Sequence, residues 1–230
     1  MNIVIIGGSR GIGKATALEL AKEGNRLLLT GRDKDSLEKT AKELPPDTLL
    51  LPLDVTEEKS ADKLIDFMKQ NDFIIEGLVM NAARFPEAST KTSVIKPEAR
   101  ELSEILEANV VSNYRMVQHL LPLLKAGDKI VIIGSTSGIR QDKGGVYGIS
   151  KWALRSYAYN LRAECKEYGI SVSLVHPGAT CTENRKKKSA EDESLLETSD
   201  LGIMVATIFR LSKQAVVEEL SMRPVIGDTY

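Results

Sequence analysis

MNIVIIGGSRGIGKATALELAKEG, residues 1–24, decides how the rest of the chain is read. Residues 2–6 are a short β-branched run that predicts a buried strand. Glycines follow at once, and then apolar residues at helical spacing, with Gly24 placed as the helix C-cap. The spacing Gly7-x-x-x-Gly11-x-Gly13 lets the backbone turn tightly and approach a pyrophosphate, whose charge then meets the helix N-terminus. It differs from the G-x-G-x-x-G fingerprint of many dinucleotide folds, having three residues between its first two glycines.

The same alternation continues outward. Further strands are predicted at 26–30, 48–51, 74–80, 129–134 and 170–175, with a last one in VEELSMRPV, 217–225. Amphipathic segments at 33–44, 57–70, about 98–125, from Tyr147 to about 167, and 199–213 predict helices between and after them. The strands are mostly unalternated apolar runs, as expected where helices cover both faces of a parallel sheet. The expectation is one doubly wound, Rossmann-type α/β domain over 1–230 with a seven-stranded parallel sheet. The long polar stretch 183–198, ENRKKKSAEDESLLET, reads either as a solvated loop or as a substrate lid; it follows a strand's carboxyl end, where ligands bind in such sheets.

Composition narrows the function classes. With 230 residues, 42% hydrophobic and 27% charged, the chain has room for one large folded domain. A net charge of −1 gives no overall pull toward nucleic acid or anionic membrane, and the RKKK run at 185–188 is cancelled by the AEDE that follows at 190–193. Cys165 and Cys181 show no Cys-x-x-Cys spacing, and His119 and His176 are far apart, so neither a disulfide framework nor a metal site is expected. A strand that starts almost at Met1, with no leader pattern before it, reads as cytoplasmic.

The second strand ends LLLTGRD, 27–33. An acid at that end accepts bonds from the adenosine ribose, whereas an arginine can hold a 2′-phosphate. Gly31 stands where the acid is expected, 18 residues past Gly13, and Arg32 follows it. Arg10 in the glycine loop can reach the same phosphate, so NADP(H) is favoured over NAD(H), with Asp33 as the opposing feature. Further along, GGVYGISKWALRSY, 144–157, puts Tyr147 one helical turn before Lys151 and so on the same face. Alone, that pair is either an acid/base centre or two surface residues.

The pieces in their order resemble the short-chain dehydrogenase/reductase family, in its compact single-domain branch. They are GxxxGxG at 7–13, LDV with Asp54, MNAA at 80–83, Asn109 in EANVVSNY, Ser135 after the fifth strand, Tyr147-x-x-x-Lys151, and PGATCT at 177–182. Two departures stand out: Met80 and Ala83 replace an Asn and a Gly of the usual fourth-strand motif, and Ser135 lies twelve residues before Tyr147, one fewer than is common. Ala83 is tolerated if its φ stays negative, and Thr136 and Ser137 are rival hydroxyls. The resemblance implies hydride transfer between nicotinamide and a carbonyl or alcohol carbon. Tyr147 would give and take the proton, Lys151 would supply the charge that lowers the phenol and would bond the nicotinamide ribose, Ser135 would hold the substrate oxygen, and Asn109 would anchor a relay water.

It also implies cofactor contacts from Gly7, Ser9, Arg10, Gly11, Ile12, Gly13, Arg32, Asp54, Val55, Asn81, Ala82, Tyr147, Lys151, Pro177, Gly178, Thr180 and Thr182. Asp54 reads alternatively as a loop cap, Asn109 as a buried amide, and Ser135 as a strand-end hydroxyl bonded to backbone. Gly144, Gly145 and Gly148 fit a chain passing close to a ligand. Pocket walls are expected from 84–90, 137–143 and 183–198. Family members pair through the helices that bear Asn109 and Tyr147, implying a homodimer or homotetramer acting on a small carbonyl or alcohol substrate. The rival is a non-catalytic NADP(H)-binding sensor or scaffold on the same fold, against which the intact set of four residues argues.

Overall fold

The computed structural model describes residues 1–86, 93–140, 144–183 and 193–227. Seven strands, β1 (Asn2–Ile6), β2 (Arg26–Gly31), β3 (Leu49–Pro52), β4 (Gly77–Met80), β5 (Lys129–Ile133), β6 (Ser171–Pro177) and β7 (Glu219–Met222), form one sheet in the order β3-β2-β1-β4-β5-β6-β7. Every neighbouring pair is parallel. The doubly wound sheet is therefore as expected. Strand order reverses between β1 and β4, and the crevice beyond the carboxyl ends of those strands is where such sheets take ligands.

Side-chain alternation divides the core in two. Val4, Ile6, Leu78, Ile130 and Ile132 face α3 (Ser60–Gln70), α5 (Ser112–Leu120) and α6 (Gly145–Cys165). Ile3, Ile5, Val79, Val131 and Val175 face α1 (Gly11–Lys22), α2 (Lys34–Ala41) and α7 (Thr198–Arg210). Ile3, Val4, Ile5 and Ile6 have no exposed surface, and each such side chain contributes about 1.5–3 kcal/mol by burial. Two-sided burial is what makes β1 an unbroken apolar run.

Several expected elements differ at their ends. The strand read at 74–80 begins only at Gly77, because Gly77 is the first residue paired to both β1 and β5. The helix read over 98–125 is α4 (Ala99–Leu106), a π-helical turn (Glu107–Val111), α5, and a closing 3-10 turn (Leu121–Leu123). Glu23 is the C-cap of α1, and Gly24, expected there, lies one residue past it, with the left-handed φ of 77° that ends the helix. Both cysteines are free thiols. Among the described residues no helix is long and apolar enough to cross a membrane, and no cluster of three potential metal ligands occurs.

Candidate active site

The register of the sheet sets the predicted residues along one edge. Ile6 pairs with Thr30 and Met80, Met80 with Ile132, and Ile133 with Val175. Gly7, Gly31, Asn81, Ser135 and Gly178 therefore leave the sheet on the same side.

The glycine loop is packed to the limit of its backbone. A Cβ on Gly13 would stand 2.0 Å from the Gly7 carbonyl oxygen and 2.6 Å from Asn81 Nδ2. That approach lets Asn81 Nδ2 donate to the Gly7 carbonyl at 2.7 Å, joining the ends of β1 and β4 beneath the loop. Ala82 N–H donates to the Ile6 carbonyl at 2.9 Å. Asp72 is the one non-glycine with positive φ among the described residues, so Ala83 keeps the negative φ its substitution requires. Gly31 leaves room for Ser9, since a Cβ there would sit 2.9 Å from Ser9 Oγ. Arg10 and Arg32 are both exposed. Asp33 caps α2, accepting from Ser36 N at 2.6 Å, and its hydrogen bonds to Ser36 hold its carboxyl below the usual range. Asp54 is a loop cap, with Oδ1 accepting from Thr56 N at 2.9 Å and Oγ1 at 2.7 Å. Val55 gives its carbonyl to Ser60 Oγ at 3.3 Å.

Across the crevice, Thr182 faces the loop: its Cγ2 lies 3.4 Å from where a Gly11 Cβ would be. Glu183 Oε1 accepts from Gly11 N at 3.3 Å, so a carboxylate occupies the helix N-terminus where a phosphate is expected. Thr180 pairs with Leu196 in an isolated bridge, and Thr180 Oγ1 donates to the Gly178 carbonyl at 2.9 Å. The two flanks of the 183–198 segment are thus tied together, with Leu195 buried and Leu196 on the core. Residues 184–192, and with them most of the expected lid and the RKKK run, lie outside the described residues, as do 87–92 and 141–143 of the expected pocket walls.

Ser135, Tyr147, Lys151 and Asn109 come together beside this crevice. Ser135 Oγ accepts from Ser137 N at 3.1 Å, and the Ser135 side chain acts on the Tyr147 phenol, working to lower it. Lys151 is 2% exposed; its Nζ donates to the Ile133 carbonyl at 3.0 Å and lies 5.5 Å from the centre of the Tyr147 ring. The phenol shifts opposite to the expected direction: burial raises it, and the Ser135 side chain pulls it back only in part. Burial also pushes Lys151 down to about 8.

The π turn places Asn109 inward with no exposed surface. An extra residue in a helical turn leaves carbonyls to be satisfied by side chains. Asn113 Nδ2 donates to the Asn109 carbonyl at 3.0 Å, and Ser112 Oγ to that of Ala108 at 2.7 Å. The Asn109 carboxamide grips the Arg84 main chain, accepting from its N at 2.7 Å and donating to its O at 3.0 Å. It also donates to Ser150 Oγ at 3.0 Å, and Ser150 in turn donates to the Tyr147 carbonyl at 2.7 Å.

Two participants were missed. Ser150 lies between Asn109 and the Tyr147 turn, and its place directly before Lys151 was the available signal. Phe85, 59% exposed, stacks on Tyr147 with centroids 4.8 Å apart and planes at 21°. Nothing in the sequence says which ring a loop phenylalanine will meet. The glycines flanking the tyrosine are also packed closely: a Cβ on Gly144 would meet Gly148 Cα at 2.9 Å, and Gly145 holds a φ of 54°.

A family model described as short chain dehydrogenase matches residues 1–193. An uncharacterized oxidoreductase of Staphylococcus aureus is 28% identical over 226 residues, covering 96% of each chain. Carbonyl reductase family member 4 of Danio rerio is 29% identical over 202 residues, which is 86% of this chain and 83% of that one. Among solved structures, an alcohol dehydrogenase from Thermococcus sibiricus complexed with 5-hydroxy-NADP superposes with a TM-score of 0.87 at 26% identity, over 100% of this chain and 98% of the other.

Proposed function

The chain belongs to the short-chain dehydrogenase family and is an oxidoreductase of CH–OH and C=O groups, and we propose that it is an NADP(H)-dependent carbonyl reductase with Tyr147 as the acid/base residue. The observation that carries this reading is the buried Lys151 ammonium, with its Nζ 5.5 Å from the centre of the Tyr147 ring and the Ser135 side chain acting on the same phenol.

The residues present fit a dinucleotide. Gly13 and Gly31 are bare where a side chain would close the cradle, and Gly11 N faces an anion already. Gly7, Ser9, Gly11, Ile12 and Gly13 would take the pyrophosphate, and Arg10 and Arg32 a 2′-phosphate. Asp33 caps α2 through Oδ1 and keeps its other oxygen able to accept from a ribose hydroxyl, so it still opposes the preference that Gly31, Arg10 and Arg32 support. Asp54, Val55, Asn81 and Ala82 would flank the adenosine and its ribose, and Pro177, Gly178, Thr180 and Thr182 the nicotinamide end. When bound, NADP(H) supplies or accepts the hydride.

Tyr147 donates a proton to the carbonyl oxygen during reduction, and its raised phenol keeps that proton through the neutral range. Ser135 hydrogen-bonds the same oxygen as charge develops on it. Lys151 brings positive charge against the phenol that has given up its proton. Asn109 holds the Arg84 main chain and, through Ser150, the Tyr147 turn, alongside any part in a relay water. Phe85 gives the pocket an apolar wall over Tyr147. Pairing of two chains through α5 and α6 is supported by exposed Val111, Tyr114, Ile149 and Trp152 on those helices and the turn before them. We place the protein in the cytoplasm, where free thiols at Cys165 and Cys181 persist.

A panel of ketones and aldehydes, followed by NADPH oxidation at 340 nm beside a binding titration, tests the activity. Turnover with NADPH at several-fold lower KM than NADH is expected, and Arg32→Asp should reverse that ratio by tenfold or more. Binding without oxidation across the panel would point to the non-catalytic reading, and an unchanged ratio in Arg32→Asp would remove the cofactor assignment.

A further inference from the structure

His176 ends the apolar run of β6 and has no exposed surface. Its Nδ1 stands against the Ser135 main chain, 2.8 Å from the carbonyl oxygen and 3.3 Å from the amide nitrogen. The opposite nitrogen, Nε2, is 2.7 Å from Glu219 Oε1 on β7. The chain is bare where the ring enters: a Cβ on Gly134 would lie 2.7 Å from His176 Nδ1. Glu219 also receives Arg155 Nε at 2.8 Å, Arg155 Nη2 at 3.3 Å and the Tyr159 hydroxyl. Burial works against its charge, but hydrogen bonds from Tyr159, Arg155 and His176 hold its carboxyl at about 2.

Arg155 and Tyr159 sit on α6, one and two turns beyond Lys151. A closed circuit results. It runs from α6 through Glu219 and His176 to the Ser135 main chain, and the Ser135 side chain faces Tyr147 back on α6. The serine's loop and the tyrosine's helix are thereby fixed to each other from behind the site.

We propose that His176 and Glu219 are positioning residues that hold the Ser135 hydroxyl against Tyr147 for the reaction. The inference rests on the reading of Ser135 as the residue that holds the substrate oxygen. A role limited to fastening the short edge strand β7 would cost stability alone, and the same amount with or without the Ser135 hydroxyl. A positioning role costs turnover, and only while that hydroxyl is present.

The test makes His176→Ala, His176→Asn and Glu219→Gln in the full chain, each with Ser135 and with Ser135→Ala. The readouts are kcat and KM for the best carbonyl of the panel, NADPH Kd, and hydrogen exchange at the Ser137 amide of the cofactor-free protein. His176→Ala and Glu219→Gln should lower kcat at least tenfold, with KM and NADPH Kd within threefold of parental. Exchange at Ser137, which donates to Ser135 Oγ, should quicken at least tenfold. His176→Asn keeps a polar atom where Nδ1 stood but cannot reach Glu219, so it should lower kcat as much as Glu219→Gln does. In Ser135→Ala the same changes should move kcat by less than twofold. Equal losses in both backgrounds, or parental kcat in folded variants, overturn the inference; if His176→Ala fails to fold, the near-isosteric Glu219→Gln decides. Parental kcat in Ser135→Ala alone overturns the serine's own assignment and the inference with it, whereas a loss there beside parental kcat in the His176 and Glu219 variants overturns the inference alone.

Discussion

Lys151 holds an amine almost wholly out of water, with the Ile133 carbonyl as its hydrogen-bond acceptor. Burial pushes its pKa from 10.5 in the open chain down to about 8. Between those values the unfolded chain binds more protons than the folded one, so folded stability rises with pH across that window. Below about pH 8 the full cost remains, about 3 kcal/mol at 1.36 kcal/mol per decade, less about 1 kcal/mol returned by the hydrogen bond. Lys151→Met should therefore melt higher than the parent at pH 7 although it loses turnover, and the gain should shrink as pH climbs toward 10. A variant less stable than the parent at pH 7 would contradict this. Spacing put Tyr147 and Lys151 on one helix face and the order of the surrounding motifs made them partners, but the direction of the phenol's shift was beyond both. That direction depends on how much protein surrounds the ring, and burial is a property of the fold.

At the scale of elements, the join of β1 to α1 carries the most constraint. Gly13 lies inside the first turn of α1 and against the Gly7 carbonyl, two backbone segments that cannot both retreat. Gly13→Ala should cost roughly 3 kcal/mol of stability and weaken NADPH binding more than tenfold, read by thermal melts and titration. Parental affinity would show that the loop relaxes freely. This element was legible because strand, glycine loop and helix each leave a local mark. The π turn at 107–111 was not, since its extra residue leaves the apolar spacing of the surrounding helix nearly intact. It shows only in its contacts, where Asn109 reaches Arg84 and Ser150 at once. Likewise Ile74 and Ile75 have strand-like chemistry, but ladder pairing begins at Gly77.

For the molecule as a whole, helices on both faces of a parallel sheet gather the carboxyl ends of β1, β2, β4, β5 and β6 into one crevice. The strand pattern made that architecture readable, while the walls of the substrate pocket were not. They are loops whose side chains meet partners far away in sequence, as Phe85 meets Tyr147 and Glu183 meets Gly11. If α5 and α6 pair two chains, Tyr114→Glu with Ile149→Glu should elute as a monomer in size-exclusion chromatography where the parent elutes as a dimer or tetramer. Identical elution would refute that pairing. The central claim is that Tyr147 moves the proton in an NADPH-dependent reduction. Single-turnover kinetics of Tyr147→Phe, beside an NADPH titration, test it most directly. Turnover should fall at least a thousandfold with NADPH affinity within threefold of parental; turnover within tenfold of the parent would contradict the account.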